Sequence, residues 1–116
     1  MGQRDDRLHV QISAAGHAVE VRVTGEIDIA TVGALRSALW AAPARSVLRV
    51  DLSGVRVLSA AGVRALVAAH LRVRGRGGEL VLVGPDPTVR RVLRATGLHR
   101  VIPIVEECSD RELVAC

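Results

Sequence analysis

The chain has no Phe, no Tyr and no Lys, and its single aromatic side chain is Trp40. Without aromatic platforms it is poorly equipped for the base-stacking folds that read nucleic acid. Its core has to be assembled from Val, Leu, Ile and Ala. Cysteine is scarce: Cys108 and Cys116 show no CxxC spacing and have no His placed to complete a zinc site. They read as reduced thiols, with a redox-sensing pair as the sharper alternative. No stretch approaches the roughly 18 apolar residues of a membrane span, and residues 1–6 lack a signal-peptide core. The expectation is a cytoplasmic protein with no membrane partner.

A length of 116 residues, 49% of them apolar, suits one domain with one core. The expected core spans about residues 7–106, followed by a short tail over 107–116. All sixteen basic residues are Arg, and the net charge is +4. Most of the arginines are scattered, as solvated surface charge is. Only Arg72, Arg74 and Arg76 form a local run, at a predicted helix end where cations also complement the dipole. An arginine surface for nucleic acid is therefore the weakest of the binding readings.

Leu8, Val10 and Ile12 alternate with polar residues, as do Val19, Val21 and Val23, around a turn at 14–17. This predicts a half-exposed hairpin. From Thr31 the period lengthens: Val32, Leu35 and Leu39 predict a helix over about 30–41, with Asp28 or Thr31 as cap and Pro43 beyond its end. Residues 47–52 read as a central strand covered on both faces, and Ser53-Gly54 as the turn that leaves it. A second helix from about Ala60 would turn Val63, Leu66, Val67 and Leu71 inward and Arg64 and Arg72 outward, ending at Gly75 and Gly77. A buried strand at 80–83 follows. Asp86-Pro87 then caps and starts a third helix carrying Val89, Val92 and Leu93, which Gly97 stops. A last strand is expected at 101–105, and Ser109 with Glu112 could box a short terminal helix. Alternating strands and helices after a hairpin imply right-handed crossovers, hence an α/β fold.

Function concentrates at Ser59-Ala60-Ala61-Gly62, where a buried strand opens straight into a helix. Small residues leave that helix N-terminus bare, so its N–H groups and positive dipole end can meet an anion or a partner's backbone closely. Ser59 stands where an N-cap belongs. Gly75-Arg76-Gly77-Gly78 follows a helix and precedes a strand, the reverse of a phosphate-cradling loop, and is rejected as a nucleotide site. His9, His17, His70 and His99 lie on no metal-spaced motif, and no nucleophile–base constellation stands out. No cofactor and no catalysis are expected.

Three segments, Gly25-Glu26-Ile27-Asp28, the 47–69 stretch and Leu93-Arg94-Ala95-Thr96-Gly97-Leu98, resemble the STAS family of anti-sigma factor antagonists. The resemblance covers almost the whole chain. It implies a mixed sheet of four to five strands with helices mainly on one side, and a hinge helix that faces partners. The implied partner is an anti-sigma factor of the kinase type. In the family pattern Asp-Ser-Ser-Gly, the first serine is phosphorylated by that partner. Here the Asp falls on Ser59, the two serines on Ala60 and Ala61, and the Gly is kept as Gly62. The family's switch residue therefore cannot carry phosphate in this chain, and Ser59 is the nearest hydroxyl. The resemblance also carries Asp28 over as a partner-binding residue, beside the hinge residues and Arg64. An alternative within the family is a binding module of another signalling or transport complex.

Overall fold

The computed structural model describes residues 4–5 and 7–106, with only the backbone of residues 4 and 5. Six strands form one sheet in sequential order: β1 (Arg4–Asp5), β2 (Leu8–Ala15), β3 (Ala18–Ile27), β4 (Val47–Leu58), β5 (Glu79–Val83) and β6 (Ile104–Val105). The pairs from β1 to β3 are antiparallel and those from β3 to β6 parallel. Each parallel step is crossed by a helix: α1 (Val32–Ala41), α2 (Ala60–Gly75) and α3 (Pro87–Ala95), the last followed by a 3-10 turn at Leu98–Arg100. Three right-handed crossovers stepping the same way along a sheet put their helices on the same side. One core accordingly joins Leu35, Leu66 and Leu93 from the helices to Val21, Val50, Leu80 and Leu82 from the sheet. The mixed α/β sheet expected from the sequence is present, with the two-residue β1 added at one edge.

The local signals act as expected at several points. Asp86 accepts a hydrogen bond from Val89 N at 2.9 Å with Pro87 opening α3. Residues Ala15 and Ala18 close the β2–β3 hairpin around a two-residue turn.

Other expectations are corrected. Strand β4 does not turn at Ser53-Gly54; it runs on to Leu58. Register shifts against β3 accompany this extension, between Arg22 and Thr24 and between Gly25 and Glu26, so β4 carries extra residues there. Position 54 within β4 takes glycine because a Cβ there would stand 2.5 Å from Thr24 Cγ2. Nor is β4 covered by helices on both faces. Asp51 lies on the face opposite the core, paired in register with Arg22, and is buried by its neighbours. Ser53 N and Oγ donate to its Oδ1 at 2.9 and 2.7 Å, and Arg22 Nε lies 3.5 Å from its Oδ2. Leu71 points outward, 63% exposed, because the inward stripe of α2 runs through Leu66, Ala69, His70 and Val73. The last strand is confined to Ile104–Val105, and Val101 is exposed after the 3-10 turn. The expected helix around Ser109 and Glu112 lies outside the described residues, as do Cys108 and Cys116.

Gly25 is the tightest point where β3 meets the start of β2. Its φ is 113°, a region that L side chains rarely adopt, and a Cβ there would run into the backbone oxygen of Arg7. That same oxygen accepts from Glu26 N at 2.8 Å. Gly25→Ala should therefore cost about 3 kcal/mol through strain and overlap. For a domain of this size that is a fall in Tm of roughly 10 to 20 °C, read by thermal unfolding. An unchanged Tm would mean that the Arg7 segment is not held against β3.

Candidate protein-docking site

The register of β3 and β4 ends with Ile27 opposite Leu58, and Ser59 N donates to Ile27 O at 2.9 Å. Both chains therefore leave the sheet at the same end, one into the loop before α1 and the other into α2. This brings Asp28 and the segment from Ser59 to Gly62 side by side.

Ser59 is the N-cap of α2, and its half-buried hydroxyl accepts from Gly62 N over a long 3.4 Å. Ala60 is exposed, Ala61 half-buried and Gly62 buried. A Cβ on Gly62 would lie 2.5 Å from Ile27 Cγ2 and 2.7 Å from Leu58 Cδ1. The absent side chain thus lets the first turn of α2 sit directly on the last rung of the β3–β4 ladder. Arg64 is exposed one helical turn further on.

Asp28 folds its own loop. Its Oδ1 accepts from Ala30 N at 2.9 Å and Thr31 N at 3.1 Å. Asp28 N donates to Thr31 Oγ1 at 2.9 Å, and the buried Thr31 hydroxyl donates to Glu26 O at 2.7 Å. Arg7 NH1 reaches Asp28 Oδ2 at 2.7 Å and lies 3.7 Å from Glu26 Oε1. Desolvation pushes the Asp28 pKa up, but the Thr31 and Ala30 amides, the Arg7 guanidinium and the Thr31 hydroxyl outweigh it. The carboxyl is held below the ordinary aspartate range. Asp28 therefore presents a braced loop, with its carboxylate already engaged by the chain.

Two features here escape sequence reading. Ile29 is 81% exposed in the Asp28 loop, and Val57 is 45% exposed beside Arg56, where β4 carries an extra residue. Ile29 continues the spacing of Ile27 and of Val32, and Val57 that of Val55, so no break in the apolar pattern marked either as exposed. Elsewhere, Arg72 lies over the Trp40 ring at 5.4 Å from its centroid, so one member of the arginine run braces α2 against α1. Gly77 N and Gly78 N donate to Arg74 O and Val73 O, which leaves neither amide to cradle a phosphate. His70 is buried on α2, whereas His9, His17 and His99 are exposed. Among the described residues no group of three or more His, Cys, Asp or Glu could hold a metal ion. No helix among them is long and apolar enough to cross a membrane.

The distinctive surface of this α/β domain is a bare helix N-terminus beside a braced loop. Residues 10–106 match the family model described as Mlab, STAS domain, and the chain belongs to the STAS domain family. It is 34% identical over 88 residues to the anti-sigma-B factor antagonist of Listeria monocytogenes, covering 74% of this chain and 77% of that protein. The crystal structure of an anti-sigma factor antagonist from Mycobacterium paratuberculosis superposes with a TM-score of 0.80 at 30% identity, covering 97% of this chain and 96% of the other. The anti-sigma factor antagonist SpoIIAA in its unphosphorylated form shares the fold, with a TM-score of 0.71 at 22% identity over 90% of this chain and 92% of its own.

Two substitutions test the site's construction. Gly62→Ala should destabilise by about 1–3 kcal/mol through overpacking against Ile27 and Leu58. Ser59→Ala should cost about 1 kcal/mol or less, since the cap bond is long. Urea unfolding midpoints read both, and a larger loss for Ser59→Ala than for Gly62→Ala would contradict this order.

The depressed Asp28 pKa sets a pH dependence. A group ionised more readily in the folded state binds fewer protons there, so stability rises with pH across its titration. The contribution of Asp28 is complete above the ordinary aspartate value of about 3.9 and is lost as pH falls through the lower folded value. The Tm difference between the wild type and Asp28→Asn should stay constant from pH 7 down to about pH 5 and close at lower pH. A difference that persists undiminished to about pH 2 would show that the carboxylate charge is not what braces the loop.

Proposed function

We propose that this chain is an anti-sigma factor antagonist that binds an anti-sigma factor of the kinase type and so releases a sigma factor. The observation that carries this reading is its identity with the Listeria antagonist across most of both chains. It acts by occupying its partner in the cytoplasm as a single domain over about residues 7–106, with no catalysis and no cofactor. The docking residues are Asp28, Ser59, Ala60, Ala61, Gly62 and Arg64. Asp28 contributes by holding its loop in place, and the hinge alanines let the partner approach the α2 N-terminus.

Position 60 carries a methyl group and no hydroxyl, so a phosphate cannot be placed there. Binding is therefore unswitched at that position and is controlled by abundance or by modification elsewhere. Ser59 is the nearest acceptor; a phosphate there adds about −1.5 to −2 charges at a helix N-terminus, which tolerates them.

Recovery of the tagged protein from its native cell, with mass spectrometry of its companions and of its own residues, tests the reading. An anti-sigma kinase as companion and no phosphate is the expected outcome. A transporter or signalling scaffold in its place would move the domain to another STAS assembly. In the recovered complex, Ala60→Asp and Ala61→Asp should each weaken affinity roughly thirtyfold, about 2 kcal/mol, by placing a charge at the centre of the contact. Unchanged affinity in both would put the docking surface elsewhere.

A further inference from the structure

The end of the domain that carries the α2 N-terminus has an apolar centre and a basic rim. Five large hydrophobic side chains are exposed among the described residues, Ile12, Ile29, Val57, Leu71 and Val101. Two of them, Ile29 and Val57, belong to this end. Ile29 follows Ile27 by two positions and Val57 precedes Leu58 by one, and Ile27 and Leu58 are register partners. The two exposed residues therefore sit next to the last rung of the β3–β4 ladder in sequence, and exposed Ala60 opens α2 two residues beyond Leu58.

The charges around this centre are unequal. Asp28 is taken up by Arg7 at 2.7 Å, and Glu26 lies between Arg7 at 3.7 Å and Arg56 at 3.8 Å. Both carboxylates thus face cations of their own chain. Arg56 remains 76% exposed, and exposed Arg64 has no carboxylate within ion-pair distance among the described residues. The N-terminal end of α2 adds its own positive potential. What this end shows to a partner is apolar surface bordered by positive charge.

We propose that this surface selects an anti-sigma factor whose docking face is an apolar contact bordered by carboxylates, with Ile29 and Val57 as anchors and Arg56 and Arg64 as the discriminating charges. The proposal rests on the antagonist reading and names the chemistry of the partner. Buried apolar anchors hold a complex together, whereas rim charges set its association rate and reject partners of like sign. A second copy of this chain is disfavoured as occupant, because a two-fold contact would set one basic rim against another.

The test uses the tagged full chain and the anti-sigma factor it recovers, both purified, with kinetics measured by surface plasmon resonance. Arg56→Glu combined with Arg64→Glu should slow association about tenfold at about 50 mM salt, and the difference should shrink at about 500 mM. Ile29→Ser and Val57→Ser should each speed dissociation about tenfold with little effect on association. Replacing the facing carboxylate of the partner by Arg should restore binding to Arg64→Glu. Arg91→Glu, exposed on α3, serves as the distant control. Wild-type kinetics in the double charge reversal, or a basic face on the partner, would overturn the proposal and leave the antagonist reading standing. Failure of the wild type to bind any anti-sigma factor, or recovery of the chain with itself alone, would overturn both.

Discussion

There is no room for a methyl group at position 62, and much of the functional end follows from that. Gly62 lets α2 begin directly on Ile27 and Leu58, side chains that are themselves in the core. Leu58 closes β4, and the next residue donates its N–H to Ile27 O. The first turn of the helix is thereby fixed to both strand ends at once. A looser junction would let the hinge and the Asp28 loop separate, because the loop's position is inherited from the exit of β3. The docking surface is held by the same contacts that close the core.

The parallel part of the sheet adds an electrostatic consequence. Helices α1, α2 and α3 each follow the C-terminal end of a parallel strand, so their N-termini gather at one end of the domain. Two of these termini are quenched by an Asp of the chain: Asp86 caps α3, and Asp28 receives the amides that lead into α1. The third, on α2, is met among the described residues only by the neutral hydroxyl of Ser59. Of the three, α2 therefore keeps the least compensated dipole, in front of Ala60. The ion pairs around Asp28 and Glu26 are partly exposed and individually weak. Their larger effect is to turn the negative charges of this end toward the chain's own arginines.

Where local chemistry decides conformation, the sequence was readable. Ser before a small-residue helix start, Asp-Pro before α3 and alternating Val residues in the hairpin each have one good solution, and the chain adopts it. Bulges have no such signature. Ser53-Gly54 looks like a turn because Ser and Gly favour turns, but the glycine is there to admit the Thr24 side chain from the next strand, a tertiary demand. Leu71 misled for another reason. Positions 63, 67 and 71 keep a four-residue step that drifts around the helix, while the true inward stripe was disguised by the small Ala69 and the polar His70. At the site, Asp28 and Ser59 were visible as candidate caps, whereas Gly62 read only as part of a bare helix start and in the structure serves the packing on Ile27 and Leu58. Ile29 and Val57 were not, since exposure of an apolar side chain depends on how two strand ends meet.

The alanines of the hinge have a physical consequence beyond the missing hydroxyl. A phosphorylatable residue at position 60 would make the centre of this surface alternately neutral and dianionic, and a partner would have to tolerate the one and reject the other. With a methyl group fixed there, the centre stays neutral, and a partner can bury it without any desolvated charge. Ser59 is poorly placed to take over such switching. Its hydroxyl is half-buried and its oxygen faces Gly62 N, so a modifying enzyme would first have to break the cap. The energy of the cap itself is small, about 1 kcal/mol. A centre built this way offers no phosphate switch at position 60, and in the proposal above the arginines at its border decide which partner meets it.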